Sequence, residues 1–249
     1  MLDTLAADLF TVQNLIALIS LAALEIVLGI DNIVFIAIIT SRLHRSQQGR
    51  MRRVGLVLAM LQRILLLFAI GWVVRLTEPL FSVLGHGVSG RDLILIGGGM
   101  FLIAKATFEI HGTIEGEHGQ DHDSAKTKQI SAAAVLVQIT LLDVVFSLDS
   151  VITAVGMVNN LTIMVAAVIA SVAVMVLFAN PVSEFIVRHP TIKMLALSFL
   201  LLIGVVLTAD GTGHHVEKGY IYFAMGFSIL VEVLNFRLRS KVKSSSALH

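Results

Sequence analysis

The chain has 249 residues, 56% of them hydrophobic and 14% charged, with a formal net charge of +1 and no cysteine; its mean hydropathy is +0.89. Soluble domains carry about 25% charged residues, so this composition excludes an ordinary water-soluble enzyme, and a near-neutral balance without a massed basic patch excludes a nucleic-acid partner. The lack of cysteine excludes a disulfide framework, a thiolate metal site, an iron–sulfur cluster and thiol catalysis.

In chain order, seven apolar stretches fall at about 13–39, 54–74, 93–110, 132–157, 163–187, 193–210 and 219–236. Each is long enough to cross a hydrocarbon core of about 30 Å at about 1.5 Å per residue. The first is expected to remain a span rather than serve as a cleaved leader, because Asp3 and Asp8 flank it in place of a basic segment. The longest connection is about 109–131, so the chain reads as one transmembrane domain with no soluble domain. Lys and Arg crowd one side of the expected membrane. The 41–53 loop holds Arg42, Arg45, Arg50, Arg52 and Arg53; Lys126, Lys128, Arg188, Lys193, Arg237, Arg239, Lys241 and Lys243 follow on the same side, against Arg75, Arg91 and Lys218 on the other. Positive charge marks the cytoplasmic face, which puts the N-terminus outside and the C-terminus inside. The fold class is therefore an all-α polytopic membrane protein with seven transmembrane helices, N-out and C-in.

Two segments answer each other 118 residues apart: Leu24-Glu-Ile-Val-Leu-Gly-Ile-Asp-Asn-Ile-Val34 and Leu142-Asp-Val-Val-Phe-Ser-Leu-Asp-Ser-Val-Ile152. Glu25 stands opposite Asp143, Asp31 opposite Asp149, and Asn32 opposite Ser150. The copies open spans one and four, so they run in opposite directions, as in the inverted repeats of many secondary transporters. Repeat one covers about 13–110 and repeat two about 132–210. A cytoplasmic loop at 111–131 joins them, an added helix follows at 219–236, and a basic tail occupies 237–249. Gln62 and Asn180 share the offset, but their depths fit poorly.

Glu25 and Asp143 fall near the middle of their spans, with Asp31 and Asp149 six residues further on, about 9 Å along a regular helix. Positions six apart differ by about 240° around a helix. Both acids of one copy can therefore face a single groove only if the helix breaks, and Gly29 and Ser147 are the expected break points. A carboxylate at the centre of a membrane helix costs about 2.5–3.5 kcal/mol, so four cost roughly 10 kcal/mol before any partner is counted. Arg63 and Lys105 are the bases inside the spans, which leaves acid in excess. Arg63 can pair structurally, hold an acid in place or supply a tethered charge to an empty site. Lys105 and Glu109, at i and i+4, read as a helix-end pair.

Other features carry a plainer reading. Gly97-Gly-Gly99 lies within a span and lacks the phosphate-loop ending, so it favours close helix packing. Glu232 and Asn235 read as interfacial. The stretch from His111 through Glu115-Gly-Glu-His-Gly-Gln-Asp-His-Asp123 holds possible metal ligands, as do His214 and His215, but solvated loops account for both. No hydrolytic triad or HExxH motif is present, so an enzyme is not expected, nor is a tightly bound cofactor. Carboxylates, an amide and hydroxyls suit hard cations such as Mn²⁺, Mg²⁺ or Ca²⁺.

The segments Glu25–Asn32, Ser147-Leu-Asp-Ser-Val-Ile-Thr-Ala-Val-Gly156, His189-Pro190, Lys193-Met-Leu-Ala-Leu-Ser-Phe199 and Lys218-Gly-Tyr-Ile-Tyr-Phe-Ala-Met225 resemble the TerC family of bacterial integral membrane proteins, named for tellurium resistance. The resemblance implies a multi-pass protein of the bacterial cytoplasmic membrane related to the lysine-exporter superfamily. It further implies manganese export, with the embedded acids as the site. The metal-site residues carried over are Glu25, Asp31, Asn32, Asp143, Asp149 and Ser150. Expected partners are the lipid bilayer and the metal ion, with an oligomer left open. Amino-acid export, and a non-transporting role in a metal or tellurite stress complex, are the alternatives.

Overall fold

The computed structural model describes residues 11–83, 86–115, 131–158 and 160–246. Among them are helices α1 (Val12–Thr40), α2 (Arg45–Phe68) and α3 (Ile70–Arg75), a hairpin of β1 (Pro79–Val83) and β2 (His86–Ser89), and helices α4 (Gly90–Glu115), α5 (Ala132–Met157), α6 (Leu161–Arg188), α7 (Pro190–Gly211) and α8 (Lys218–Ser246). Local chemistry sets the boundaries. Thr11 caps α1 by accepting from the Asn14 N–H at 3.3 Å, and Ser131 caps α5 through the Ala134 N–H at 3.2 Å. Asn160 accepts from Thr162 and Ile163 to start α6, and Pro190 opens α7, where its missing N–H costs nothing.

Five helices, α1, α4, α5, α6 and α7, are long and apolar enough to cross a membrane. The protein is an all-α polytopic membrane protein. Large apolar side chains such as Phe68, Leu177 and Phe223 stand exposed on the bundle's outside, as expected where lipid replaces water. The second expected span differs in its bounds. Helix α2 begins at Arg45, within the arginine-rich segment, because arginine is a good helix former and His44 caps the end by accepting from the Ser46 N–H. It stops at Ala69, and the short α3 follows. The apolar part of α8 is shorter than the other spans, at Gly219–Asn235, and the helix itself runs on through the basic segment to Ser246.

The principal helix contacts pair α4 with α7, α1 with α6, α2 with both α5 and α6, and α1 with α5. Bare backbone makes the closest of these. A Cβ on Gly99 would lie 2.6 Å from the Gly204 carbonyl oxygen, and one on Gly204 would lie 2.8 Å from that of Gly99. Gly98 likewise admits Val145, whose Cγ2 would be 2.4 Å from an added Cβ. Two of the three glycines at 97–99 thus serve close packing, as their composition suggests. Helix α8 rests on α7 through Ile221 and Met225 against Val206.

The expected breaks at Gly29 and Ser147 do not occur: α1 and α5 run through both positions as continuous helix. Gly29 is small for a packing reason, since an added Cβ would lie 2.5 Å from the Met175 sulfur of α6. Ser147 spends its hydroxyl on charged neighbours, described next.

A buried acidic centre and an adjoining pocket

Helix α1 presents Glu25, Gly29 and Asn32 inward on one face, and α5 presents Asp143, Ser147 and Ser150. Arg63 of α2 enters between them. Its NH1 group forms an ion pair with Glu25 Oε2, and its Nε donates to Ser147 Oγ at 3.0 Å and lies 3.7 Å from Asp143 Oδ1. Glu25, Arg63 and Asp143 are each 2% exposed. Asp143 also accepts from Ser147 Oγ at 2.9 Å, Asn32 Nδ2 at 3.2 Å and Gln62 Nε2 at 3.3 Å. Three helices and both copies of the acidic motif therefore meet in one network. Two carboxylates share one guanidinium there, and neutral donors hold the rest of the negative charge. The Arg63 NH2 atom has no hydrogen-bond partner among the described residues.

Asp31, Asp149 and Ser150 are placed elsewhere. They line a cavity of about 50 Å³ together with Leu28, Val145 and Phe146, residues of α7, and Ile221 and Tyr222 of α8. Space of this size is several times what one water needs. Ser150 Oγ donates to the Ser147 carbonyl at 3.2 Å, which fixes its oxygen at the pocket wall. Asp149 Oδ1 accepts from Arg91 NH2 at 2.8 Å, with the two side chains 19% and 24% exposed. Arg91 is held in place by the hairpin and the start of α4. Its own N–H donates to the Leu76 carbonyl at 2.9 Å. Beside it, Asp92 Oδ2 accepts from the Ser89 N–H at 2.9 Å and from Ser89 Oγ at 2.7 Å.

The six residues singled out in the sequence thus divide three and three: Glu25, Asn32 and Asp143 in the closed network, and Asp31, Asp149 and Ser150 at the pocket. Among the described residues, no three Asp, Glu or His side chains converge as a metal-ligand group. Gln62 and Arg91 carry more weight than their sequence context gave them. Tyr222 is a further pocket residue that no charge pattern marks.

The other candidates have local partners. Lys105 Nζ pairs with Glu109 Oε1 at 3.2 Å, as the spacing predicts, and Arg42 NH2 joins Glu109 Oε2 at 2.6 Å to tie the α1–α2 turn to α4. His215 Nδ1 lies 3.2 Å from Asp210 Oδ1, and His214 Nδ1 lies 3.3 Å from Thr212 Oγ1. Asn235 Nδ2 donates to Glu232 Oε2 at 3.3 Å. His111 faces Glu115 at 3.0 Å, while residues 116–123 of the histidine- and acid-rich loop lie outside the described residues.

A bundle of apolar helices that closes two carboxylates around an internal arginine defines an integral membrane protein with a charged, embedded centre. The family model of the TerC integral membrane proteins matches residues 10–247, and the chain belongs to that family. It is 52% identical over 228 residues to a UPF0053 protein of Haemophilus influenzae, covering 92% of this chain and 95% of that protein. It is also 52% identical over 226 residues to the UPF0053 inner membrane protein YgdQ of Escherichia coli strain K12, covering 91% and 93%. A third relative, the inner membrane protein YoaE of the same strain, is 52% identical over 219 residues, which are 88% of this chain but 42% of YoaE. No solved structure matches the chain. The protein is a multi-pass protein of the inner membrane.

Proposed function

We propose that this protein exports a divalent metal cation across the inner membrane, with Mn²⁺ as its cargo and protons as the counter-ion. The observation that carries this reading is the pocket where Asp31 and Asp149, from the two copies of the acidic motif, meet beside the sealed Glu25–Arg63–Asp143 network. Ionisable groups at membrane depth are expensive and mark ion pathways by default. Oxygen donors without sulfur suit hard cations, and carboxylates take up either a metal ion or protons. A cavity of about 50 Å³ admits an ion, whereas organic ligands occupy pockets of about 300–1,000 Å³. This favours a metal over an amino acid.

Expelling a divalent cation against an inside-negative potential costs about 4.6 kcal/mol per 100 mV, so a second gradient must drive it. In this scheme Asp149 exchanges its ion pair with Arg91 for the metal, and Arg91 returns once the metal has left. Seven crossings, N-out and C-in, complete the scheme. Support for the two inverted repeats comes from the packing: exchanging α1 with α5, α2 with α6 and α4 with α7 turns the α1–α6 contact into the α5–α2 contact. The same exchange maps the α4–α7, α2–α6 and α1–α5 contacts onto themselves.

The test is Mn²⁺ accumulation in everted membrane vesicles with internal pH recorded. Wild type should accumulate Mn²⁺ as protons move the other way. Asp31→Asn and Asp149→Asn should abolish this at unchanged protein level. Normal Mn²⁺ flux in both variants would sink the reading.

A further inference from the structure

A second, larger cavity, of about 640 Å³, lies between the α1–α2 turn and the last turns of α6, away from both acid pairs. Its charged lining residues are Arg45, Arg52, Arg188 and Glu184. Arg188 pairs with Glu184 at 3.3 Å. No carboxylate forms an ion pair with Arg45 or Arg52 among the described residues, so the lining carries an excess of two positive charges.

Arg52 is the unusual member, at 4% exposure. Its Nε donates to Thr40 Oγ1 at 3.2 Å, its NH1 to Asn180 Oδ1 at 3.3 Å and its NH2 to Gln48 Oε1 at 3.2 Å. Thr40 is turned to accept, because its own hydroxyl donates to the Ile36 carbonyl at 2.6 Å. Three neutral oxygens from α1, α2 and α6 thus pin the guanidinium in one orientation without cancelling its charge. Three of its five N–H groups are used, which leaves two for a ligand. Glu184 is the carboxylate whose charge reaches Arg52, and Glu184 is already paired with Arg188, so an added anion would complete the neutralisation of a buried cation that is otherwise costly.

We propose that this cavity binds the headgroup of an acidic phospholipid, the phosphodiester resting on Arg45, Arg52 and Arg188. Its volume falls in the range of about 300–1,000 Å³ typical of organic ligand sites and exceeds what a free phosphate fills. Val187 forms an apolar part of the rim, and Phe178 and Leu177 on α6 are exposed on the lipid-facing surface. These give acyl chains a path alongside the headgroup. Basic pockets at helix ends are a known means of recognising anionic lipid. The site shares no residue with the proposed metal pathway, so its test is independent of that reading.

The experiment uses the purified full chain in detergent, with lipid binding followed by native mass spectrometry and thermal unfolding. Short-chain phosphatidylglycerol, phosphatidylethanolamine and inorganic phosphate are titrated separately. Phosphatidylglycerol should bind at least about tenfold more tightly than either alternative. The double variant Arg45→Gln/Arg188→Gln alters exposed side chains and leaves the Arg52 network in place. It should unfold like wild type without lipid and lose about thirtyfold in phosphatidylglycerol affinity, at roughly 1 kcal/mol for each of the two surface arginines. Arg75→Gln, exposed and outside the lining of this cavity, should change nothing. Equal binding of the two lipids, full phosphatidylglycerol affinity in the double variant, or inorganic phosphate binding as tightly as the lipid would each overturn the proposal.

Discussion

Glu25 and Asp143 differ from Asp31 and Asp149 in their surroundings, although each pair draws on the same two helices and the pairs lie six residues apart. The first pair is sealed: a guanidinium, a serine, an amide and a glutamine meet its oxygens, and it is 2% exposed. The second borders open space, and Asp149 is joined to an arginine that is itself partly exposed. A carboxylate tied on every side holds helices together, while one beside a cavity with a partly exposed counter-charge has open space next to its oxygens.

The strongest way to break this contrast is Arg63→Met. It would leave two buried carboxylates without a counter-charge, a loss of about 3–5 kcal/mol. The melting temperature of the purified protein should fall accordingly. An unchanged melting temperature would mean that Arg63 neutralises nothing. Gly99→Leu tests whether stability outside the acids separates from transport. The added side chain meets Thr208 Oγ1 and the Gly204 carbonyl, and overpacking of this kind costs about 1–3 kcal/mol. Chemical denaturation should register that loss, while flux per folded molecule stays near normal.

Ser147→Ala and Ser150→Ala sharpen the contrast with one chemical change at two places. Losing the Ser147 hydroxyl removes both a donor to Asp143 and an acceptor for Arg63, for about 1–3 kcal/mol. Ser150→Ala should cost less in a parallel melt and weaken Mn²⁺ protection against unfolding more. The smallest stability effect is expected for Arg91→Gln, under about 1 kcal/mol because both partners are partly exposed. In that variant Mn²⁺ should protect at lower concentration, since no arginine competes for Asp149. Unaltered protection would separate the Arg91 pair from metal exchange.

Much of this was legible in residues that strain against their setting. The span at 132–157 coincides with α5 because a serine cap precedes an unbroken apolar run. The acids and Arg63 stand out because charge is scarce in such a chain. The offset of about 240° between acids six apart held as well, but its consequence differed. The chain does not bend its helices to gather four carboxylates; it gives each face of α1 and α5 a separate task. The Arg91–Asp149 pair spans 58 residues, a separation at which no helical periodicity links two side chains. The hairpin at 79–89 was missed because its short strands lack a sustained alternation of apolar and polar residues.

Helix α8 has a consequence that concerns the order of synthesis. It rests mainly on α7, yet Ile221 and Tyr222 wall the pocket that holds Asp31 and Asp149. The six preceding long helices can associate before α8 leaves the ribosome, and at that stage the acidic cleft lacks one side. The cleft is finished only when the last helix inserts, so a chain ending before Lys218 would be a packed bundle with its acidic pocket unroofed to lipid.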